Sequence, residues 1–194
     1  MVWSATVTLG ALFTVDAVDA ETCRWIQRAM DAGSSGPASV LTEHFDVAEQ
    51  ERRATEIDVA DDVLARVESC LDAQRDRIAA FYHRPLSSRE GAGFLRYSAG
   101  GFYGPHVDRA DVPSWPAAVG REITIVLFLN SSREIDPAGG FTGGRLCIFP
   151  DGVDADAIDV IPRRGLLVAF PSSMPHEVTP VVDGRRDAVV DWFY

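Results

Sequence analysis

From Gly91 to Tyr194 the chain is a succession of short β-like runs, each cut off by Gly, Pro or Asp. The runs are Phe94–Ser98, Arg121–Asn130, Gly144–Phe149, Ala157–Ile161, Gly165–Phe170, Glu177–Val182 and Arg186–Tyr194. Many short strands at close spacing form an antiparallel sandwich or barrel. The stretches Arg109–Gly120 and Ser131–Thr142 are turn-rich and lack a period. They are expected to be long connecting loops that border a functional cleft.

Residues 1–90 read differently. Met1–Val15 is mildly apolar, without a basic n-region or a small-residue cleavage site, so a first β-strand is expected there in place of a signal peptide. Asp19 is placed to cap a helix reaching Ala32, with Cys23, Ile26 and Met30 on one face and Gly33 as its stop. Ser34–Ala54 is polar and is expected to be loop. A longer helix is expected over Asp61–Tyr82, where Val63, Val67, Leu71, Ile78 and Phe81 keep a helical period and Pro85 lies beyond. The expectation is an α+β chain with a mainly β core. It forms one domain, residues 1–194, with 1–90 as helical support and 91–194 as the core that carries the site.

The net charge of −11 opposes adhesion to nucleic acid or anionic lipid, which need clustered cations. No apolar run approaches the ~20 residues of a membrane span. Cys23, Cys70 and Cys147 are odd in number and far apart, as expected of free thiols in a reducing cytoplasm.

Four histidines are present. His44 and His83 lie in the helical half, next to no other obvious ligand, and read as surface or structural residues. His106 belongs to the H-x-D triplet His106-Val-Asp108. In an extended segment those two side chains point to the same side, so an imidazole and a carboxylate can share one metal. His176 follows on a distant strand that a sandwich can bring alongside. Two histidines and one carboxylate on one face of an ion, with other positions open, form the facial triad of non-haem Fe(II) oxygenases. Arg186 taken alone reads as an exposed arginine beside Asp183 and Asp187. Beside the triad it reads as a buried partner for an anion, on a strand face shared with Ala188, Val190, Trp192 and Tyr194.

The residues also carry a family resemblance. Arg96-Tyr97-Ser-Ala-Gly100-Gly-Phe-Tyr103-Gly-Pro-His106-Val-Asp108 resembles the metal-binding stretch of prolyl 4-hydroxylase-type 2-oxoglutarate/Fe(II) dioxygenases. So do Arg121-Glu-Ile-Thr124-Ile-Val-Leu-Phe128-Leu129-Asn130, Gly143-Gly144-Arg-Leu-Cys-Ile-Phe149-Pro and Pro162-Arg-Arg-Gly165-Leu-Leu-Val-Ala-Phe170. The closing His176-Glu-Val-Thr-Pro180-Val-Val-Asp-Gly184-Arg-Arg186, followed by Trp192-Phe193, completes the pattern in order and spacing.

The resemblance implies a double-stranded β-helix, or jelly roll, with N-terminal helices packed against it. It implies His106, Asp108 and His176 as iron ligands. It implies Arg186 as partner of the distal carboxylate of 2-oxoglutarate, with Tyr97 and Thr124 lining the cosubstrate pocket. Phe128 stands where the family often has Tyr. Arg121, Tyr103 and Trp192 are candidates for substrate contact. The implied activity is Fe(II)-, 2-oxoglutarate- and O₂-dependent hydroxylation of an aliphatic C–H. The intact Asp108 favours hydroxylation over halogenation. The substrate is a protein prolyl residue or, alternatively, a free or carrier-bound amino acid or other small metabolite.

Overall fold

A computed structural model describes residues 12–41, 45–110 and 116–194. The elements run β1 (Phe13–Asp16), α1 (Ala20–Ala32), β2 (Ser34–Pro37), β3 (Val40–Leu41), β4 (Phe45–Asp46), β5 (Arg52–Arg53), β6 (Thr55–Asp58), α2 (Asp61–Asp72), α3 (Arg75–Tyr82), β7 (Gly93–Ser98) and β8 (Phe102–His106). They continue with α4 (Pro116–Gly120), β9 (Ile123–Phe128), β10 (Phe141–Gly143), β11 (Leu146–Ile148), β12 (Ile158–Val160), β13 (Leu166–Pro171), β14 (His176–Val178) and β15 (Val181–Phe193).

The strands make two main antiparallel sheets. One follows the order β1-β13-β9-β15-β7-β6-β2, with β10 also paired to β15. The other follows β12-β11-β14-β8-β5. Helices α1, α2 and α3 cover the outer face of the first sheet. Cys23, Ile26, Met30, Val67, Leu71 and Ile78 bury themselves there against Phe94, Ile123, Ile125, Leu127, Val189 and Phe193. The inner face meets the second sheet through Val126, Phe128, Leu146, Ile148, Val168 and Phe170. Strand β9 is buried on both faces, which is why Ile123–Phe128 reads as an almost unbroken apolar run. The result is a jelly roll with its helical layer on one side, as expected.

The first half departs from expectation. The predicted loop over Ser34–Ala54 contains β2, β3, β4 and β5, and β6 follows directly. These strands are very short: β2 pairs with β6 and β5 with β8 at sheet edges, and β3 pairs only with β4. Tertiary pairing determines them, and runs of two to four residues are too short to show an alternation. The single helix expected over Asp61–Tyr82 is two, α2 and α3, and no Gly or Pro marks the break. The runs expected at Glu177–Val182 and Arg186–Tyr194 redistribute into β14 and the long β15, with Pro180 between them. Of the N-terminal strand expected over Met1–Val15, residues 1–11 lie outside the described residues, and β1 begins at Phe13. His44 also lies outside them, and His83 ends α3 in the left-handed region at φ 51°.

The ends of α1 form as the sequence indicates. The Asp19 carboxylate accepts from the Thr22 N–H at 2.7 Å. Gly33 follows for a steric reason: a Cβ there would sit 2.1 Å from the Asp58 carbonyl oxygen. Asp19→Ala is expected to lower stability by about 1 kcal/mol. Gly33→Ala is expected to lower it further, by up to about 3 kcal/mol, because backbone must move to admit the methyl. Urea unfolding of both variants measures this, and equal midpoints would contradict the close-approach reading.

Candidate metal centre and cosubstrate cavity

Cross-strand pairing assembles the site between the two sheets. On the second sheet His176 of β14 stands directly opposite His106 of β8. The chain stays alternating past the end of β8, so His106 and Asp108 face inward while Val107 is exposed. Both backbone N–H groups of Asp108 and Arg109 donate to the Ser172 carbonyl, at 3.0 and 2.9 Å, and fix this turn.

Potential ligand atoms of His106, Asp108 and His176 all lie within 4.8 Å of one another, close enough to hold one metal ion. His106 Nε2 is 3.5 Å from Asp108 Oδ1, and His176 Nε2 is 3.4 Å from Oδ2. Each ring is oriented by its own strand. His106 Nδ1 faces the Gly104 carbonyl at 2.9 Å, and His176 Nδ1 faces that of Met174 at 3.0 Å. A carbonyl only accepts, so Nδ1 carries the proton in each case and Nε2 keeps its lone pair for a metal. Tyr103 stacks on His106 with centroids 3.5 Å apart.

The electrostatics suit a cation. Burial lowers His176 to about 4, so its imidazole is neutral at physiological pH. Burial pushes the Asp108 carboxyl upward, but the adjacent imidazoles of His176 and His106 outweigh it and hold the group below the usual carboxylate range. Thr124 donates to Asp108 Oδ2 at 2.8 Å and lies 3.0 Å from the Ser172 hydroxyl.

A cavity of about 280 Å³ opens from this centre into the first sheet. The inner face of β15 forms its floor with Arg186, Val190 and Trp192. Arg186 pairs with Tyr97 of β7, and Trp192 with Thr124 of β9. Arg186 is 2% exposed and makes no hydrogen bond or ion pair among the described residues; its Nε is buried and unpartnered. The rings of Tyr97 and Phe128 each lie 5.0 Å from its guanidinium carbon. Burial lowers its pKa to about 10, which leaves it cationic. Gly144 makes room for it: its φ is +61°, and a Cβ there would lie 3.1 Å from Arg186 Cδ.

All the predicted site residues line this cavity. They differ in how free they are. The fork of Arg121 is engaged by Glu90 at 2.6 and 2.5 Å, its third nitrogen donates to the Asp108 carbonyl at 3.2 Å, and its plane stacks 3.7 Å from the Trp192 ring centroid. Trp192 Nε1–H is buried without a hydrogen bond, yet lies close enough to Asp108 to help hold that carboxylate ionised.

The outer wall was not foreseen. Ser39, Val40, Arg52, Glu56 and Glu90 belong to the half expected only to support the core. Their short polar surroundings carried no periodic signal. The described residues of the two expected cleft loops do not line the cavity. Residues 131–142 are tied down elsewhere, through Arg133 to Asp183 and Glu134 to Arg145.

A jelly roll with two histidines and a carboxylate between its sheets defines a class of metal-site proteins. Within it, this chain belongs to the 2OG-Fe(II) oxygenase superfamily, whose profile matches residues 92–194. The chain is 34% identical over 100 residues to a PKHD-type hydroxylase of Acaryochloris marina, and 37% identical over 101 residues to one of Parvibaculum lavamentivorans. Each match covers 51% of this chain, and 39% and 41% of the respective relative, so the chain spans about two fifths of the curated relatives it matches. A Pseudomonas putida prolyl-4-hydroxylase structure superposes with a TM-score of 0.70 at 26% identity, covering 94% of this chain and 91% of that one. A Trichoplax adhaerens prolyl hydroxylase, solved with a hypoxia inducible factor peptide fragment, shares the fold with a TM-score of 0.75 at 17% identity, covering 96% and 84%.

Thr124→Val keeps the shape of the side chain and removes the donor to Asp108. Outer hydrogen bonds to ligands typically change metal affinity ~10–100-fold. Co(II) affinity by isothermal titration is therefore expected to fall by ~10-fold or more. Unchanged affinity would show that Thr124 does not tune the carboxylate.

Proposed function

We propose that this chain is an Fe(II)- and 2-oxoglutarate-dependent oxygenase that hydroxylates an aliphatic C–H bond of a prolyl or amino-acid-like substrate. The observation that carries the reading is Arg186, a cation buried beside the triad with no anion of its own. Protein interiors keep such charges only when something compensates them. A dicarboxylate fits, because a guanidinium fork matches a carboxylate with two parallel hydrogen bonds. The two imidazoles with a free Nε2 and the ionised carboxylate fit Fe(II).

His106, Asp108 and His176 would hold the iron, whose chemistry when bound is activation of O₂ with 2-oxoglutarate as the electron source. Arg186 would bind the distal carboxylate of 2-oxoglutarate, with Tyr97 and Phe128 excluding water from that pair. Phe128 offers no hydroxyl, so Tyr97 and the guanidinium provide the polar contacts at this end. Thr124 would hold one Asp108 oxygen and so fix the orientation of that ligand. Trp192 and Tyr103 would border the substrate, and Arg121 would keep Trp192 in place by stacking.

We take residues 1–194 as one catalytic domain and the cytoplasm as its location. The free Cys23 and Cys147, both buried, support a reducing compartment. No helix among the described residues is long and apolar enough to cross a membrane.

Arg186→Ala is expected to weaken 2-oxoglutarate by at least ~10-fold, since hydrogen bonds to charged groups contribute roughly 1.5–3 kcal/mol each. Fe(II) affinity is expected to change little. Arg186→Lys is expected to recover part of the loss, keeping charge without the fork. Titration of each protein with 2-oxoglutarate measures this, and an unchanged Kd in Arg186→Ala would refute the cosubstrate role.

A further inference from the structure

Among the described residues, four buried side-chain nitrogens lack a hydrogen-bond partner: those of Arg52 (Nε), Arg75 (Nε), Arg186 (Nε) and Trp192 (Nε1). Arg52, Arg186 and Trp192 line the same cavity. All three atoms are donors. Native structures pair nearly all buried polar groups, so a cluster of orphan donors describes its occupant: something rich in oxygen acceptors. The cosubstrate accounts for Arg186. It does not account for Arg52, which belongs to the other sheet.

Arg52 sits on β5 opposite Tyr103 of β8. Its guanidinium lies 4.7 Å from the centroid of the Tyr103 ring, and that ring stacks on His106. Its Nη1 donates to the Ser39 carbonyl at 2.5 Å, which fixes the plane of the fork. It forms no ion pair among the described residues, although the chain carries eleven more acidic than basic charges at neutral pH. Of the other carboxylates on the cavity wall, Glu90 is taken by Arg121, whereas the exposed Glu56 has no ion pair among the described residues. Arg52 and Glu56 both precede residue 92, where the family match begins.

We infer that Arg52 binds a carboxylate of the substrate, and that the substrate is a small amino-acid-like molecule with that group free. This rests on the oxygenase reading above. Glu56 supplies a counterpart for an α-ammonium group. The volume supports a small substrate: about 280 Å³ lies just below the ~300–1,000 Å³ usual for ligand cavities, and the cosubstrate must share it. A prolyl residue inside a polypeptide has no free carboxylate to offer Arg52.

The test uses the full chain loaded with Mn(II) and 2-oxoglutarate, titrated calorimetrically with the common amino acids and their matched carboxamides. Wild type is expected to bind at least one amino acid ~10-fold or more tightly than its amide, a difference typical of a charge-assisted hydrogen bond. Arg52→Ala is expected to abolish the preference, and Arg52→Lys to restore part of it. Arg52→Gln repeats the measurement if the alanine variant melts early. The inference is overturned if no amino acid outbinds its amide, or if the preference survives in Arg52→Ala and Arg52→Gln. Tighter binding of acetyl-Gly-Pro-Gly-amide than of any amino acid overturns it as well and points to a protein substrate. The prior titration with 2-oxoglutarate separates the two readings. If wild type does not bind 2-oxoglutarate, the oxygenase reading falls and this inference with it; normal binding without a carboxylate preference removes this inference alone.

Discussion

Arg186 is a cation sealed between two aromatic rings with no carboxylate beside it, and the rest of the fold is arranged around that fact. Desolvating a guanidinium is strongly unfavourable, and faces of Tyr97 and Phe128 offset only part of it. The next residue along the strand, Asp187, carries the needed charge but faces the other way. There it accepts from Gln27 at 2.8 Å and from Arg96 at 2.7 Å. Strand alternation thus separates two opposite charges that are neighbours in sequence and leaves the cation available to a ligand.

The same alternation governs all of β15. Arg186, Val190 and Trp192 form the floor of the cavity, while Asp187, Val189, Asp191 and Phe193 form the ceiling under the helices. On the helical side each buried carboxylate is satisfied. Asp191 pairs with Arg89 at 2.6 Å and accepts from the Gly91 N–H at 3.0 Å. Removing one partner from such a pair would leave a buried charge exposed to none, so these links hold helices and sheet in fixed register. The cavity side differs: the donors Arg52 Nε, Arg186 Nε and Trp192 Nε1 are buried there without a partner. One strand therefore separates a closed polar layer from an open one.

Much of the half that carries the candidate site was legible because chemistry and strand period coincide in it. His106 and Asp108 share a face as H-x-D requires, and Arg186 and Trp192 follow the same rule on β15. The start of α1 was legible from Asp19 because that cap acts locally, and its end from Gly33, although the close approach to Asp58 that requires the glycine is not local. The outer wall was not. Arg52 and Ser39 sit in strands of two to four residues, or between them, and their positions follow from pairing with β8 and β6. Glu90 reaches Arg121 across 31 residues, a contact that no local pattern encodes. The break between α2 and α3 and the anchoring of residues 131–142 belong to the same category, since both are decided by what the segment packs against.

The cavity is assembled from two stretches of chain with different obligations. Its metal-facing walls come from strands that also build the hydrophobic core, where a substitution disturbs packing on both faces. Its outer wall comes from β5 and β6 and the residues before them, at the margin of each sheet, where side chains answer to few neighbours. Selection acting on such a molecule can exchange the outer residues while the inner ones stay fixed, so related chains can diverge in what they accept without diverging in how they react.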